Sequence, residues 1–313
     1  MSRQTPDLDD LSPARRKLLE RLLKERGLGT SSSPPRHPAA EPAEPVVPVD
    51  AGLTDASKVR TKSFYDTVTR QLDSSMFGSS AFFLNLGYAP VEGLPRRSPI
   101  EIPKHALDAN SVMLVLELVG DCALAGQRVL DVGCGRGGTI VTLLRYCDIA
   151  SGTGVDLSTE AVMFCGRRHQ FSNAHFANGD AERLPFVDAS FDAVTNIESS
   201  HTYPTVESFY REVHRVLKPG GPFLYGDAFL DAERKARSLE ALEALGFVLE
   251  RADDVTPNVL LSCDQVAERR QQAFKQRSDS EVVNNFLATP GSGLYDAMKS
   301  GTSSFWIYRL RRM

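Results

Sequence analysis

The sequence contains no CxxC pair. Its five cysteines, Cys122, Cys134, Cys147, Cys165 and Cys263, are odd in number and irregularly spaced, which excludes a disulfide framework and a structural zinc site. Small buried or half-buried thiols in a reducing compartment are expected instead, and no metal ligand set is read elsewhere in the chain. The chain also lacks a basic excess: 36 Lys and Arg against 40 Asp and Glu leave a formal charge of -4, so nucleic acid and anionic membrane surfaces are not expected partners. No uncharged apolar run reaches the roughly 18 to 20 residues that span a bilayer. The opening MSRQTPDLDD has no basic-then-apolar signal pattern, and a cytoplasmic location is expected. There is no internal repeat. What remains is 313 residues of ordinary globular composition, 42% hydrophobic and 24% charged, enough for one domain with an appendage or for two modest domains.

Proline is unevenly distributed. Pro34, Pro35, Pro38, Pro42, Pro45 and Pro48 share one stretch without apolar period, a linker composition assigned to residues 30–54. Before it, LSPARRKLLERLLKERGLG has a capping Ser12, Pro13 at the first helical position and a stripe of Leu18, Leu19, Leu22 and Leu23, so residues 1–29 read as an amphipathic helix and a candidate docking segment. Residues 55–107, with Phe64, Tyr65, Phe77, Phe82, Phe83 and Tyr88, read as a helical lid region. From residue 108 to 313, short β-rich runs alternate with helical ones, the pattern of parallel βαβ units. Strands are expected at 128–133, 153–157, 174–180, 191–199, 222–229, 246–255 and in SSFWIYRLRRM, forming a seven-stranded open α/β sheet. The segment between the last two strands reads as a helical insertion able to wall an acceptor pocket, with Arg269, Arg270 and Lys275 available to a phosphate.

DVGCGRGG follows a predicted strand and opens a predicted helix, where an open α/β sheet binds its ligand. Gly133, Gly135 and Gly138 satisfy GxGxxG, which by itself also admits a nicotinamide dinucleotide. Asp131 precedes the loop and Asp156 ends the next strand, where it can take two ribose hydroxyls. A carboxylate beside the loop repels a pyrophosphate but suits an amino acid and a sulfonium cation, so S-adenosylmethionine is favoured over NAD.

The order DVGCGRGG, VDLS, GDAERLPFVDASFDAV, LKPGG resembles the class I methyltransferases that use S-adenosylmethionine. The resemblance implies a Rossmann-like core. It places Gly133, Gly135 and Gly137 against the amino-acid half of the cofactor, Asp156 on the ribose and Leu157 on the adenine. It also places Asp180 and Ala181 at the adenine edge and adds Asp131 and Asn196 to the cofactor set. The segment TNIESSHTYPTVESFYREVHRVLKPGGPFLYGDAF is similar to phthiotriolone and phenolphthiotriolone O-methyltransferases and to O-methyltransferase domains of polyketide and nonribosomal peptide synthase lines. The leading helix resembles the segment that opens many peptide synthetase modules. These likenesses imply O-methylation in secondary metabolism of a polyketide, peptide-polyketide or lipid hydroxyl or enol, free or carrier-borne. C-methylation of an activated carbon, an NAD-dependent dehydrogenase and a catalytically silent binding module stand as alternatives.

Transfer of a methyl group to oxygen needs alignment and a base. His201, just past the fourth strand, is the chosen general base, and Glu198, three residues earlier, the expected partner fixing its tautomer. Tyr65 and Tyr203 are candidate lid and acceptor-wall residues, and Asp227 is a candidate for holding the acceptor or a divalent ion, or for capping a turn or helix. His169, His175 and His214 are assigned no chemistry.

Overall fold

The computed structural model describes residues 55–74, 78, 81–103, 108–273 and 281–313. The expected leading helix, the Pro-rich linker, Phe77 and Lys275 lie outside the described residues, as do the side chains of Arg269 and Arg270. Helix α1 (Ala56–Ser74) is followed by an irregular strap, 81–103, and by α2 (Ala109–Val119). The alternating part begins with β1 (Arg128–Val132), α3 (Gly138–Tyr146), β2 (Ser151–Asp156), α4 (Thr159–Arg168), β3 (Ala174–Asn178) and β4 (Ala193–Ile197). A 3-10 turn (Ser200–Thr202) leads to α5 (Val206–Val216), β5 (Pro222–Phe229), α6 (Ala232–Ala244) and β6 (Phe247–Asp254). The insertion forms α7 (Thr256–Ala273), α8 (Glu281–Leu287) and α9 (Gly293–Lys299) before β7 (Ser304–Arg312).

The seven strands lie in the order β3-β2-β1-β4-β5-β7-β6. The first five are parallel, and β7 runs antiparallel between β5 and β6. The expected seven-stranded, Rossmann-like sheet is therefore present, with boundaries within about two residues of those read from sequence. Central strands carry apolar side chains on both faces because helices cover both. Val129, Ala193 and Leu224 face a layer with Leu114 and Leu118 of α2, whereas Leu130, Val194 and Phe223 face Phe209, Val213 and Val216 of α5. Strand β6 alternates buried and accessible residues, as an edge strand with one covered face does. Ser158 caps α4 and Asp231 caps α6, each accepting a backbone N–H from three residues on. The cysteines are buried or half-buried, with no disulfide among them. No helix among the described residues is long and apolar enough to cross a membrane.

The strap is fixed by one buried carboxylate. Glu117 of α2, 2% exposed, pairs with Arg96 Nε at 3.1 Å and accepts the backbone N–H groups of Arg97 at 2.7 Å and Ser98 at 3.4 Å. Asn258 and Ser262 of α7 donate to the carbonyls of Ala89 and Leu86 from the other side. Replacing Glu117 by Ala strands two amides and a guanidinium, so a loss of about 2–3 kcal/mol in unfolding free energy is expected, Arg96 being partly hydrated. Urea denaturation measures it.

Candidate active site

The sheet reverses its winding between β1 and β4, and a crevice opens there at the carboxyl ends of the strands. It holds a cavity of about 780 Å³. One half is walled by the glycine loop, Asp156, Leu157, Asp180 and Ala181. Gly133 and Gly137 adopt left-handed φ of 71° and 79°. A Cβ on Gly133 would lie 2.3 Å from Ser199 Oγ, and one on Gly137 2.8 Å from the His169 ring, so no other residue fits these turns. Asp156 accepts the N–H of Gly135 through Oδ2 and that of Ser158 through Oδ1, both at 2.8 Å, while burial pushes its carboxyl above the usual range. Asp180 accepts the Glu182 N–H at 3.0 Å and the ammonium of Lys58, from α1, at 2.7 Å. Lys58 also reaches Glu182 at 2.5 Å.

Three expected cofactor residues do not line the cavity. Asp131 is 1% exposed and accepts Thr195 Oγ1 at 2.7 Å; burial pushes its carboxyl up to about 7. It lies behind the loop because the odd residues of β1, Val129 and Asp131, face the helical layer of α2 and α3. Asn196, fully buried, donates to Val132 O at 2.9 Å and to Ser199 Oγ at 2.7 Å, bracing the ends of β1 and β4. Gly137 turns away towards His169, whose Nε2 is 2.7 Å from the Arg136 carbonyl; His169 thus packs, as expected.

In the other half, His201 stands in the 3-10 turn with 42% of its side chain exposed. Its Nδ1 is 2.7 Å from Oδ1 of Asp227, so the partner is Asp227, and the expected pairing with Glu198 is corrected. A spacing of three residues puts side chains on one face of a continuous helix, but Glu198 sits at φ 50° and Ser199 at φ −135°, ψ −28°, neither of them helical. Glu198 instead accepts the Leu86 N–H with both oxygens, at 2.8 and 3.0 Å. Asp227 arrives from β5, whose Gly226 is in register with Ile197 of β4. Burial opposes the charge of both partners, yet the contact holds Asp227 below the usual carboxylate range and, with the charge of Glu198, raises His201 above the ordinary 6.5. An ionised Asp227 accepts only, so Nδ1 carries the hydrogen and Nε2 keeps its lone pair. Tyr203 lines the cavity and hydrogen-bonds Ser199 Oγ at 2.9 Å and Asn196 Nδ2 at 3.3 Å. Tyr65 of α1 lines it too, next to Phe286 of α8.

The roof over the crevice depends on residues the sequence did not single out. Arg136, inside the glycine loop, has a fully buried side chain that donates to the carbonyls of Ala81, Thr69 and Gly78 and pairs with Asp73 at 2.9 Å. Its guanidinium lies 3.5 Å over the Phe164 ring. Asp66 of α1 accepts Ser158 Oγ at 2.6 Å and the Glu160 N–H at 3.2 Å, at the amino end of α4. Arg136 had a visible signal, a bulky cation within a loop otherwise small; Lys58 and Asp66 had none.

Residues 130–225 match the family model described as a methyltransferase domain. Over 268 residues the chain is 32% identical to the phthiotriol/phenolphthiotriol dimycocerosates methyltransferase of Mycobacterium tuberculosis, covering 82% of this chain and 94% of that protein. Over 169 residues it is 42% identical to a fatty-acid O-methyltransferase of Mycolicibacterium smegmatis, where the match covers 53% of this chain and 58% of the relative's length. Among solved structures, a 4+2 cyclase, SpnF, superposes with a TM-score of 0.65 at 23% identity, covering 82% of this chain and 97% of that one. A geranyl diphosphate methyltransferase in complex with its diphosphate and sinefungin gives 0.61 at 16%, over 83% and 100%. The chain belongs to the S-adenosylmethionine-dependent methyltransferases. Within them it falls in the family of the phthiotriol/phenolphthiotriol dimycocerosates methyltransferases, and its cofactor is S-adenosylmethionine, not NAD.

The residues present fit that cofactor: glycines whose missing Cβ atoms leave room, and carboxylates at the ends of β2 and β3 facing the same cavity. The roof closes it through Arg136. Arg136→Met removes every donor to three carbonyls while keeping bulk, so α1 is expected to detach: faster amide exchange across Ala56–Ser74 and a cofactor affinity lower by about tenfold, read by hydrogen exchange and calorimetry.

Proposed function

We propose that this chain is an O-methyltransferase acting on a hydroxyl or enol of a lipid-like or polyketide-type acceptor, with His201 as general base and Asp227 as its orienting partner. The observation that carries the reading is the 2.7 Å contact between His201 Nδ1 and Asp227 at the open half of the cofactor cavity. When bound, S-adenosylmethionine supplies an activated methyl group together with its own leaving group. The chain must then align the acceptor and take its proton. Nε2 of His201 accepts the hydroxyl proton as the oxygen attacks, and Asp227 holds the Nδ1 hydrogen and stabilises the imidazolium. Asp156 and Leu157 take the ribose and adenine, and Asp180 and Ala181 the adenine edge. Asp131 supports the loop from behind its wall.

The cavity beyond the glycine loop supports a largely apolar acceptor: Leu86, Val206, Phe229 and Phe286 are among its lining residues. The names of the two relatives, one acting on fatty acid and one on phthiotriol dimycocerosates, agree with this chemistry. Helix α1 and the strap serve as the lid that excludes water. The carrier-borne acceptor rests on the ESSHTYP segment and on the leading helix and linker of residues 1–54; rates on free and carrier-loaded chains of the same length decide it, and activity confined to the free form removes it. Oxygen and carbon transfer are separated by the carbon-13 shift of the new methyl.

His201→Ala is expected to slow methylation about a hundredfold or more with cofactor affinity kept; a small change moves the base elsewhere. Because a raised base must lose its proton to act, kcat/KM is expected to climb with pH through a midpoint above 6.5, and a midpoint well below it contradicts the dyad.

A further inference from the structure

Asp227 is 1% exposed, and a buried carboxylate must draw all its hydrogen bonds from protein. Beside the His201 ring it accepts the His201 N–H at 3.1 Å, the Ala228 N–H at 2.8 Å and the Ser200 hydroxyl at 2.5 Å. Ser200 Oγ is in turn 2.7 Å from the Tyr225 hydroxyl, which is 3.2 Å from that of Tyr210. Ser200, Tyr225 and Tyr210 are 3%, 1% and 0% exposed. The direction of this chain is forced. A carboxylate cannot donate, so Ser200 spends its one hydrogen on Asp227; Tyr225 must then donate to Ser200, and Tyr210 to Tyr225.

We propose that Ser200 and Tyr225 are positioning residues that set the proton affinity of His201, acting in series through Asp227. The inference rests on the His201–Asp227 pairing read above. Each hydroxyl dipole points its positive end towards the carboxylate and draws off part of the charge that holds the imidazole proton. Removing a donor concentrates that charge on His201 and makes it harder to deprotonate. A base held too basic stays protonated and idle at neutral pH, so the chain keeps the imidazole in the range where it exchanges protons. The other titratable groups facing the pair are Glu198 after β4, Tyr65 on α1, Tyr203 after the 3-10 turn, and Glu207, which acts on Tyr210 from the same helix. Among the described residues, the groups that meet the Asp227 carboxylate directly are those of Ser200, His201 and Ala228.

The test is an NMR titration of the His201 ring in the full chain, its resonance assigned by its loss in His201→Ala. Ser200→Ala is expected to raise the midpoint by about half a pH unit, a fraction of the full weight of one hydrogen bond to a charged group because Asp227 is ionised in both states of the ring, and Ser200→Thr to restore it. Tyr225→Phe is expected to give a smaller rise, and none in a Ser200→Ala background, because it acts only through Ser200. Asp227→Asn is expected to move the midpoint down. An unmoved midpoint in Ser200→Ala, or a further rise on adding Tyr225→Phe to it, overturns the proposal. Failure of the base assignment registers separately, as retained methylation in His201→Ala.

Discussion

The crevice at the reversal of the sheet collects carboxylates. Asp156, Asp180, Glu198 and Asp227 stand at or just beyond the carboxyl ends of β2, β3, β4 and β5 around one cavity, each half-buried or buried. Each has to be met by donors from somewhere. Asp156 takes two backbone N–H groups of the adjoining turns, and Asp227 takes a ring nitrogen, a hydroxyl and two amides. The other two are answered from above, Glu198 by the strap at Leu86 and Asp180 by Lys58 of α1. The roof is thus as much an electrostatic requirement of the floor as a cover for a reaction, and a cationic cofactor enters a site already built around negative charge.

Most of the fold was legible because short apolar-rich runs such as RVLDV and DAVTNI alternate with helical stretches, the first leading straight into the glycine loop. The position of β7 between β5 and β6 was not, since periodicity carries no pairing order. At the site, residues on the strand ends and the glycine loop could be named from spacing and resemblance. Partners from other strands could not. Asp227 was read as an acceptor-holding or capping carboxylate and Glu198 as the dyad partner because sequence distance stands in for spatial distance only within one element, and the backbone reversal at Glu198 breaks that element. Asp131 and Asn196 were placed in the cofactor set by kind of residue and by position; their facing direction, set by strand pleat, puts them behind the wall.

The shared core does not by itself define the chemistry. A cyclase and a methyltransferase superpose on this chain comparably well, and site-specific content must therefore come from a few side chains grafted on the common sheet. The turn after β4 and the polar end of β5 together bring His201, Ser200, Tyr225 and Asp227 into one bonded group.

Helix α1 raises a matter of timing. Its ties run to Arg136, Ser158, Glu160, Asp180 and Glu182, all made at least 60 residues later in synthesis. Among the described elements the helix leaves the ribosome first, yet these partners, and Val283 and Leu287 of α8 with which Val68 and Leu72 cluster, all come later. The chain therefore assembles its floor before its roof, and the ligand crevice stands open throughout folding until the oldest described segment comes back to close it.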